Sequence, residues 1–492
     1  MSATPTTNYA EIFGALRPEA ALVLGALVVL GVDLAFGRRR SEAARLRTSA
    51  LIGLAAIAVA VCSALGAGHA GAVVDGVIVL DSLGVATRVG VLGLSGLTLL
   101  LAPGTSRLRH PAEFVAILLF ATTGFTLMAV AQHLLLAFLA LELASLSLYV
   151  LAGFDKTRPE SAEAALKYFL LGAISAAFLL FGFSLLYGLT GSLALPDIAR
   201  HLATQPTSTL LLVALVMILV TFGFKAAAAP FHLWAPDVYQ GAPTAAAALI
   251  ASASKLAGFV LFVRLLWSGL LSASGDASTL AGAPGWMPVA AGMAGLSMFL
   301  GNFVALAQTN VRRLLAYSAI AHAGAMLLGV IAAGAAGPGP VFYYAATYGL
   351  ATVGAFGVIA VVDQAGGCHQ LSDLAGLYRR SPLLAGCLLV FILSLAGIPP
   401  LAGFFGKFAV FAAALRIGGV AGPLGWLTLA AIFLSAIGLY YYLLILKQAL
   451  VIAPAADRGR ISTPANAALV LVVTAVLLVV LGLFPSVILG LF

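Results

Sequence analysis

The chain has 492 residues, of which 62% are hydrophobic and 9% charged, and its formal net charge is +8. An aqueous globular domain does not carry so much apolar surface, so the lipid bilayer is the solvent. The excess positive charge is no footprint for nucleic acid, because the arginines fall in short stretches between apolar runs, where they orient helices.

Apolar runs of about 20 residues suffice for a helical crossing. They predict fourteen helices: helix 1 over 14–36, helix 2 over 48–66, helix 3 over 80–102, helix 4 over 112–130, helix 5 over 132–154, helix 6 over 163–190 and helix 7 over 207–239. Helix 8 follows over 244–272, helix 9 over 285–308, helix 10 over 311–335, helix 11 over 338–363, helix 12 over 382–416, helix 13 over 422–450 and helix 14 over 464–491. Helices 7 and 12 are too long for one straight crossing. Both contain prolines, Pro230 in one and Pro399 with Pro400 in the other, so both are read as broken. The connections leave no room for a soluble domain. Cys62, Cys368 and Cys387 are scattered, with no CxxC and no metal spacing. No basic stretch precedes the first apolar run, so no cleaved leader is expected.

Loop charge tests the count. With the N-terminus outside, the cytoplasmic connections hold Arg38, Arg39, Arg40, Arg45, Arg47, Arg107, Arg109, Lys156, Arg158, Arg312, Arg313, Arg379, Arg380, Lys447, Arg458 and Arg460. The opposite side holds Arg17, Arg200 and Arg416. That bias predicts an even number of crossings with both termini on the periplasmic side of a bacterial inner membrane.

The six remaining basic residues fall inside spans: Arg88, Lys167, Lys225, Lys255, Arg264 and Lys407. A cation placed in hydrocarbon costs about 3 kcal/mol on insertion scales, so an intramembrane charge is a functional candidate by default. Arg88 and Arg264 also have a structural reading, as partners of a neighbour such as Asp81. Glu142 lies midway along helix 5 and His322 midway along helix 10. From Glu142 to His322 is a step of 180 residues, and from Lys225 to Lys407 a step of 182. Each step passes five helices, an odd number, so the second copy crosses in the opposite sense. The sequence thus predicts an all-α polytopic membrane fold with two inverted five-helix repeats, helices 4–8 and 9–13. The corresponding segments are 1–111 (helices 1–3), 112–272 (first repeat), 273–450 (second repeat) and 451–492 (helix 14).

Burial disfavours an ammonium and a nearby carboxylate favours it, so the proton affinity of a buried lysine depends on its partner. Glu142, Lys167, Lys225, Lys255, His322 and Lys407 in that order make a candidate proton row at mid-membrane depth. Bland readings stand beside this one. Glu142 with Lys167 can be a structural ion pair, Lys225 and Lys407 can cap the broken helices, and His322 or His232 can be a satisfied core histidine. The chain has no Walker A motif, since GFFGKF lacks a following Ser or Thr, and no HExxH.

Two stretches carry a resemblance. PFHLWAPDVYQGAPT at 230–244 and LKYFLLGAISAAFLLFGFSLLYGLTG at 166–191 resemble the antiporter-like membrane subunits of respiratory complex I, the N type among them. Lys407 and a chain that stops at helix 14 fit the same type. The resemblance implies a proton-translocating part of an NADH:quinone oxidoreductase. NADH, FMN, iron–sulfur clusters and quinone would then sit in partner subunits, with no cofactor or metal on this chain. The implied partners are the other membrane subunits, the lipid bilayer and protons, and no nucleic acid. It implies that Glu142 pairs with Lys167, that Lys225 is the central lysine, and that Lys255, His322 and Lys407 continue the path to an exit. A cation/proton antiporter subunit and a non-conducting membrane scaffold are the alternatives.

Overall fold

The computed structural model describes residues 9–37, 40–66, 71–105, 108–277, 282–453 and 459–492. Of the basic residues used for orientation, Arg38, Arg39, Arg107 and Arg458 lie outside the described residues. Thirteen helices among those described are long and apolar enough to cross a membrane. They are helix 1 (Arg17–Gly37), helix 2 (Glu42–Gly66), helix 3 (Ser82–Leu101), helix 4 (Pro111–Val130), helix 5 (Leu134–Ala152), helix 6 (Pro159–Thr190) and the first half of helix 7, here 7a (Thr209–Ala226). Helix 8 (Thr244–Gly269), helix 9 (Trp286–Leu306), helix 10 (Val311–Ala336), helix 11 (Gly339–Gln364), helix 13 (Pro423–Leu450) and helix 14 (Ala465–Leu483) complete that set. Helix 12 makes the remaining crossing as two shorter pieces, 12a (Pro382–Ala396) and 12b (Ala402–Gly418). The predicted fourteen segments are therefore all present.

Both predicted breaks occur, and they are built alike. Helix 7a ends in the left-handed residue Ala227 (φ 57°) and 12a in Gly397 (φ 85°). The amide after each reaches back to close the last turn: Ala228 N donates to the Gly223 carbonyl at 2.7 Å, and Ile398 N to the Leu393 carbonyl at 3.0 Å. This is the Schellman closure. The chain then passes Pro230 or Pro399–Pro400, whose peptide bonds Ala229–Pro230 and Pro399–Pro400 are cis, and resumes as 7b (Trp234–Gly241) or 12b.

Other features depart from the sequence reading. Helix 8 is interrupted at Ser252 (φ −116°, ψ −85°), three residues before Lys255, and ends in a wide turn at Arg264–Gly269. No proline marks that interruption. Helix 14 stops at Leu483 instead of 491, because Pro485 cannot continue it; a short turn, Ser486–Leu489, follows. A two-stranded hairpin, Gly71–Val73 with Ile78–Leu80, and an amphipathic helix, Leu195–Leu202, lie in connections read as plain loops. Arg312 is not a loop residue: it sits in the first turn of helix 10, buried against Asp363 at 2.9 Å and Thr244.

Helices 8, 10 and 11 form the centre of the bundle, with their most apolar windows almost wholly buried. Helices 1, 6, 13 and 14 present apolar side chains outward, as a lipid-facing or subunit-facing ring requires. Small residues let the inner helices approach. A Cβ at Gly124 of helix 4 would meet the backbone nitrogen of Ala144 on helix 5 at 2.6 Å.

The in-span arginines hold elements together. Arg88 on helix 3 is fully buried, donates to the Ala15 carbonyl and pairs with Glu19 of helix 1 at 2.9 Å. Arg264 donates to the Ala129 carbonyl at 2.6 Å and grips Asp81, the N-cap of helix 3, through both oxygens. Their structural reading, neutralising a neighbour such as Asp81, is the one the geometry supports. Removing one member of a buried ion pair leaves an uncompensated charge, which costs about 3–5 kcal/mol. Arg88→Met is therefore expected to lower the thermal midpoint of the purified complex and the yield of assembled protein, and Glu19→Gln with Arg88→Met together should recover much of the loss.

Candidate functional site: a buried lysine and histidine row

The site begins at the first break. Unwinding 7a frees carbonyl groups that lipid cannot satisfy. The Trp234 indole donates to the Phe224 carbonyl at 2.9 Å, and Ser297 Oγ accepts the Ala229 amide at 2.8 Å. Lys255 of helix 8 supplies a further donor: its Nζ reaches the Ala226 carbonyl at 2.9 Å and the Ala319 carbonyl of helix 10 at 3.1 Å. Lys255 therefore ties helix 8 to the broken end of 7a and to helix 10. The Tyr348 ring lies 5.8 Å from the same ammonium.

Lys225, in the last turn of 7a, is buried and does not cap the break. Its Nζ contacts Ser145 Oγ of helix 5 at 3.4 Å, and Glu142 lies three residues, about one turn, earlier on that helix. Gly258 of helix 8 makes room for the stem, since a Cβ there would lie 3.3 Å from Lys225 Cγ. Among the described residues Glu142 makes no ion pair, and its Oε1 is buried without a hydrogen-bond partner.

The expected Glu142–Lys167 pair is not formed. Lys167 Nζ is held by Asp237 of 7b at 2.7 Å and by Glu163, one turn back on its own helix, at 2.6 Å. The other Asp237 oxygen receives Arg313 Nη1 at 2.6 Å. Lys167 is also far more exposed than Lys225 or Lys255, so it lies at the margin of the row. Asp237 is the residue that the sequence reading missed. The signal was available: it is the one carboxylate in the 230–244 motif.

At the second break Lys407 of 12b donates to the Ala396 carbonyl at 2.9 Å and to Ser435 Oγ of helix 13 at 2.8 Å. Here the lysine does cap the break, as one reading of the sequence held. The two lysines 182 residues apart are not equivalent, however. The left-handed residues Ala227 and Gly397 are 170 apart, as are the capped carbonyls of Ala226 and Ala396. On that register Lys407 corresponds to Asp237, and Lys225 to Leu395. Lys255 and Lys407 do the same job from different helices.

His322 of helix 10 is bonded within the second half, to helices 11 and 13. Its Nδ1 shares a hydrogen bond with Tyr344 Oη at 2.7 Å and its Nε2 with Tyr442 Oη at 2.9 Å, and Tyr442 is also bonded to Ser318. His322, Lys407, Tyr344, Tyr442 and Ser435 line a cavity of about 20 Å³, room for one water among several polar partners. His232 lies within the first break with Nδ1 buried and unpartnered. Among the described residues no three His, Cys, Asp or Glu gather as metal ligands.

Residues 131–439, which contain the whole row, match the family described as NADH:quinone oxidoreductase/Mrp antiporter, transmembrane. The chain belongs to this family. It is 49% identical over 488 residues to NADH-quinone oxidoreductase subunit N 2 of Acidobacterium capsulatum, covering 97% of this chain and 98% of that protein. Among solved structures it resembles a chain of respiratory complex I from Thermus thermophilus, at 36% identity and TM-score 0.79, over 96% of this chain and 98% of that one. A chain of the Mrp complex from Dietzia shares the fold at 20% identity and TM-score 0.79, over 96% of each chain.

Tyr442 is the hinge of the histidine cluster. Tyr442→Phe removes one hydroxyl from His322 and Ser318 together, and a buried polar group left unpaired costs about 1–3 kcal/mol. The expected outcome is a complex that assembles and pumps roughly tenfold more slowly, since about 1.4 kcal/mol on a barrier is tenfold in rate. Proton uptake by inside-out vesicles during NADH oxidation measures it.

Proposed function

We propose that this chain is a proton-translocating membrane-arm subunit of an NADH:quinone oxidoreductase. The 49% identity over nearly the full length of a subunit of that enzyme supports the assembly, and the observation that carries the mechanism is the buried row itself. Lys225, Lys255 and His322 are buried and Lys407 half-buried, with hydroxyl and carbonyl partners but no paired carboxylate. Burial disfavours the charge and the hydroxyl and carbonyl partners favour it, so such groups can take up or release a proton, and a water in the His322–Lys407 cavity would join those two residues. Redox chemistry belongs to partner subunits: NADH, FMN, iron–sulfur clusters and quinone are expected there, and the other membrane subunits of the complex are the partners.

In this reading Glu142 is the acid at the entry end. Its charge stabilises the Lys225 ammonium, and its movement toward Lys167 would release that hold and send the proton on to Lys255. A conformational change in a neighbouring subunit would drive the movement. Helices 4–8 and 9–13 are read as inverted repeats, helices 1–3 and 14 as contacts to neighbours, and both termini as periplasmic in a bacterial inner membrane.

The direct test is Lys225→Ala in the intact complex, with assembly checked first. Proton pumping is expected to fall at least tenfold, with NADH:quinone turnover following it because the two are coupled; a tenfold loss corresponds to about 1.4 kcal/mol. Glu142→Gln should do likewise and Glu142→Asp should be milder. An assembled Lys225→Ala complex that pumps at the wild-type rate would mean the chain is a scaffold.

A further inference from the structure

We propose that Tyr348 of helix 11 is a further positioning residue of the row. Its ring fills the space between Lys255 and His322 and keeps water from joining them. It so holds apart the lysine at the first break and the histidine of the second half until the ring moves aside. This rests on the proton-translocating reading above.

The row has a gap at this point. Lys255 Nζ is bonded to two backbone carbonyls, those of Ala226 and Ala319. His322 has both ring nitrogens engaged, Nδ1 with Tyr344 Oη and Nε2 with Tyr442 Oη. Among the described residues no hydrogen bond connects this lysine to this histidine directly. They are nonetheless neighbours along helix 10, because Ala319 precedes His322 by three residues, about one turn. Tyr348 lies in the gap. Its ring centre is 4.9 Å from that of His322, with the planes tilted by 46°, and 5.8 Å from Lys255 Nζ. Both separations are contact distances for an aromatic ring. All three side chains are buried.

Helix 11 is built to present the ring there. Tyr344 and Tyr348 are four residues apart and so share one face. Tyr344 turns its hydroxyl to His322, whereas Tyr348 offers both groups its ring. A ring face attracts an ammonium but takes no proton from it, so it separates the two groups without replacing either. Gly349, the next residue, lets helix 11 close on helix 3: a Cβ there would lie 2.8 Å from Leu94 Cδ1. With the backbone packed so closely, opening the gap falls to the Tyr348 side chain. An ammonium has three N–H donors, and Lys255 gives two of them to carbonyls. Taking the ring away would leave room beside the third, and room with polar partners is what a buried water needs.

The test compares variants of the assembled complex in inside-out vesicles. Two quantities are read: protons taken up per NADH oxidised, and the decay of the proton gradient once NADH is exhausted. Tyr348→Ala removes the ring, so the decay is expected to run roughly fivefold faster and the ratio to fall to about half. Tyr348→Phe keeps the ring and should stay within about twofold of wild type in both. A merely structural role would lower turnover and pumping together and leave the ratio unchanged. Tyr343→Ala is the control: it is an equal truncation on helix 11, but its hydroxyl is bonded to the Leu481 carbonyl of helix 14, and it should leave the decay at the wild-type rate. Wild-type decay and ratio in Tyr348→Ala overturn the proposal. So does a loss in Tyr348→Phe equal to that in Tyr348→Ala, which would place the role in the hydroxyl, and so does equally fast decay in Tyr343→Ala. If Tyr348→Ala does not assemble, Tyr348→Leu takes its place and is read the same way. Wild-type pumping by Lys225→Ala would instead overturn the proton-translocating reading itself.

Discussion

Two carbonyl groups inside the bilayer need hydrogen-bond donors, and much of the site follows from how they get them. A helix interrupted in hydrocarbon has no water to complete its bonds, so the donors must come from side chains. Lys255 meets the Ala226 carbonyl and Lys407 meets the Ala396 carbonyl. An ammonium has three donors and a neutral amine retains two, so a lysine can lose its proton and still cap the break. Lys255 spends two donors on two carbonyls, which is the number a neutral amine keeps. The same side chain can therefore hold the fold together and change its charge without undoing it.

The division of labour between arginine and lysine fits this. Arg88, Arg264 and Arg312 each face a carboxylate and join helices through fixed pairs. A guanidinium keeps its proton under all ordinary conditions, so such pairs are static. Lys225, Lys255 and Lys407 lack a bonded carboxylate and face hydroxyls and carbonyls instead. Lys167 stands between the two classes. It is a lysine held by two carboxylates at the edge of the bundle.

The two halves of the chain arrive at similar geometry with different residues. Each break closes through the same left-handed turn, and each capped carbonyl meets a lysine. In the first half that lysine comes from helix 8, and the position matching Lys407 holds Asp237, which is turned to Lys167 and Arg313. Shared backbone with exchanged side chains gives the first half an acidic latch and the second half a histidine bonded to two tyrosines.

Membrane class, number of crossings, the two broken helices and the presence of charged residues inside apolar runs were legible in the chain itself. Each rests on a rule that acts locally: about 20 apolar residues span the bilayer, proline ends a helix, and a charge in hydrocarbon needs a reason to be there. Whom each charge faces was not legible. Spacing along the chain made Lys225 the counterpart of Lys407 and made Lys167 the partner of Glu142. Packing instead brought Lys255 to the first break and Asp237 to Lys167. Side-chain partners are chosen across helices, and the rotation of each helix about its axis is set by contacts with several neighbours at once. The unmarked interruption at Ser252, which positions Lys255, is of the same kind. No residue there forbids a helix, so only the packed bundle could decide it.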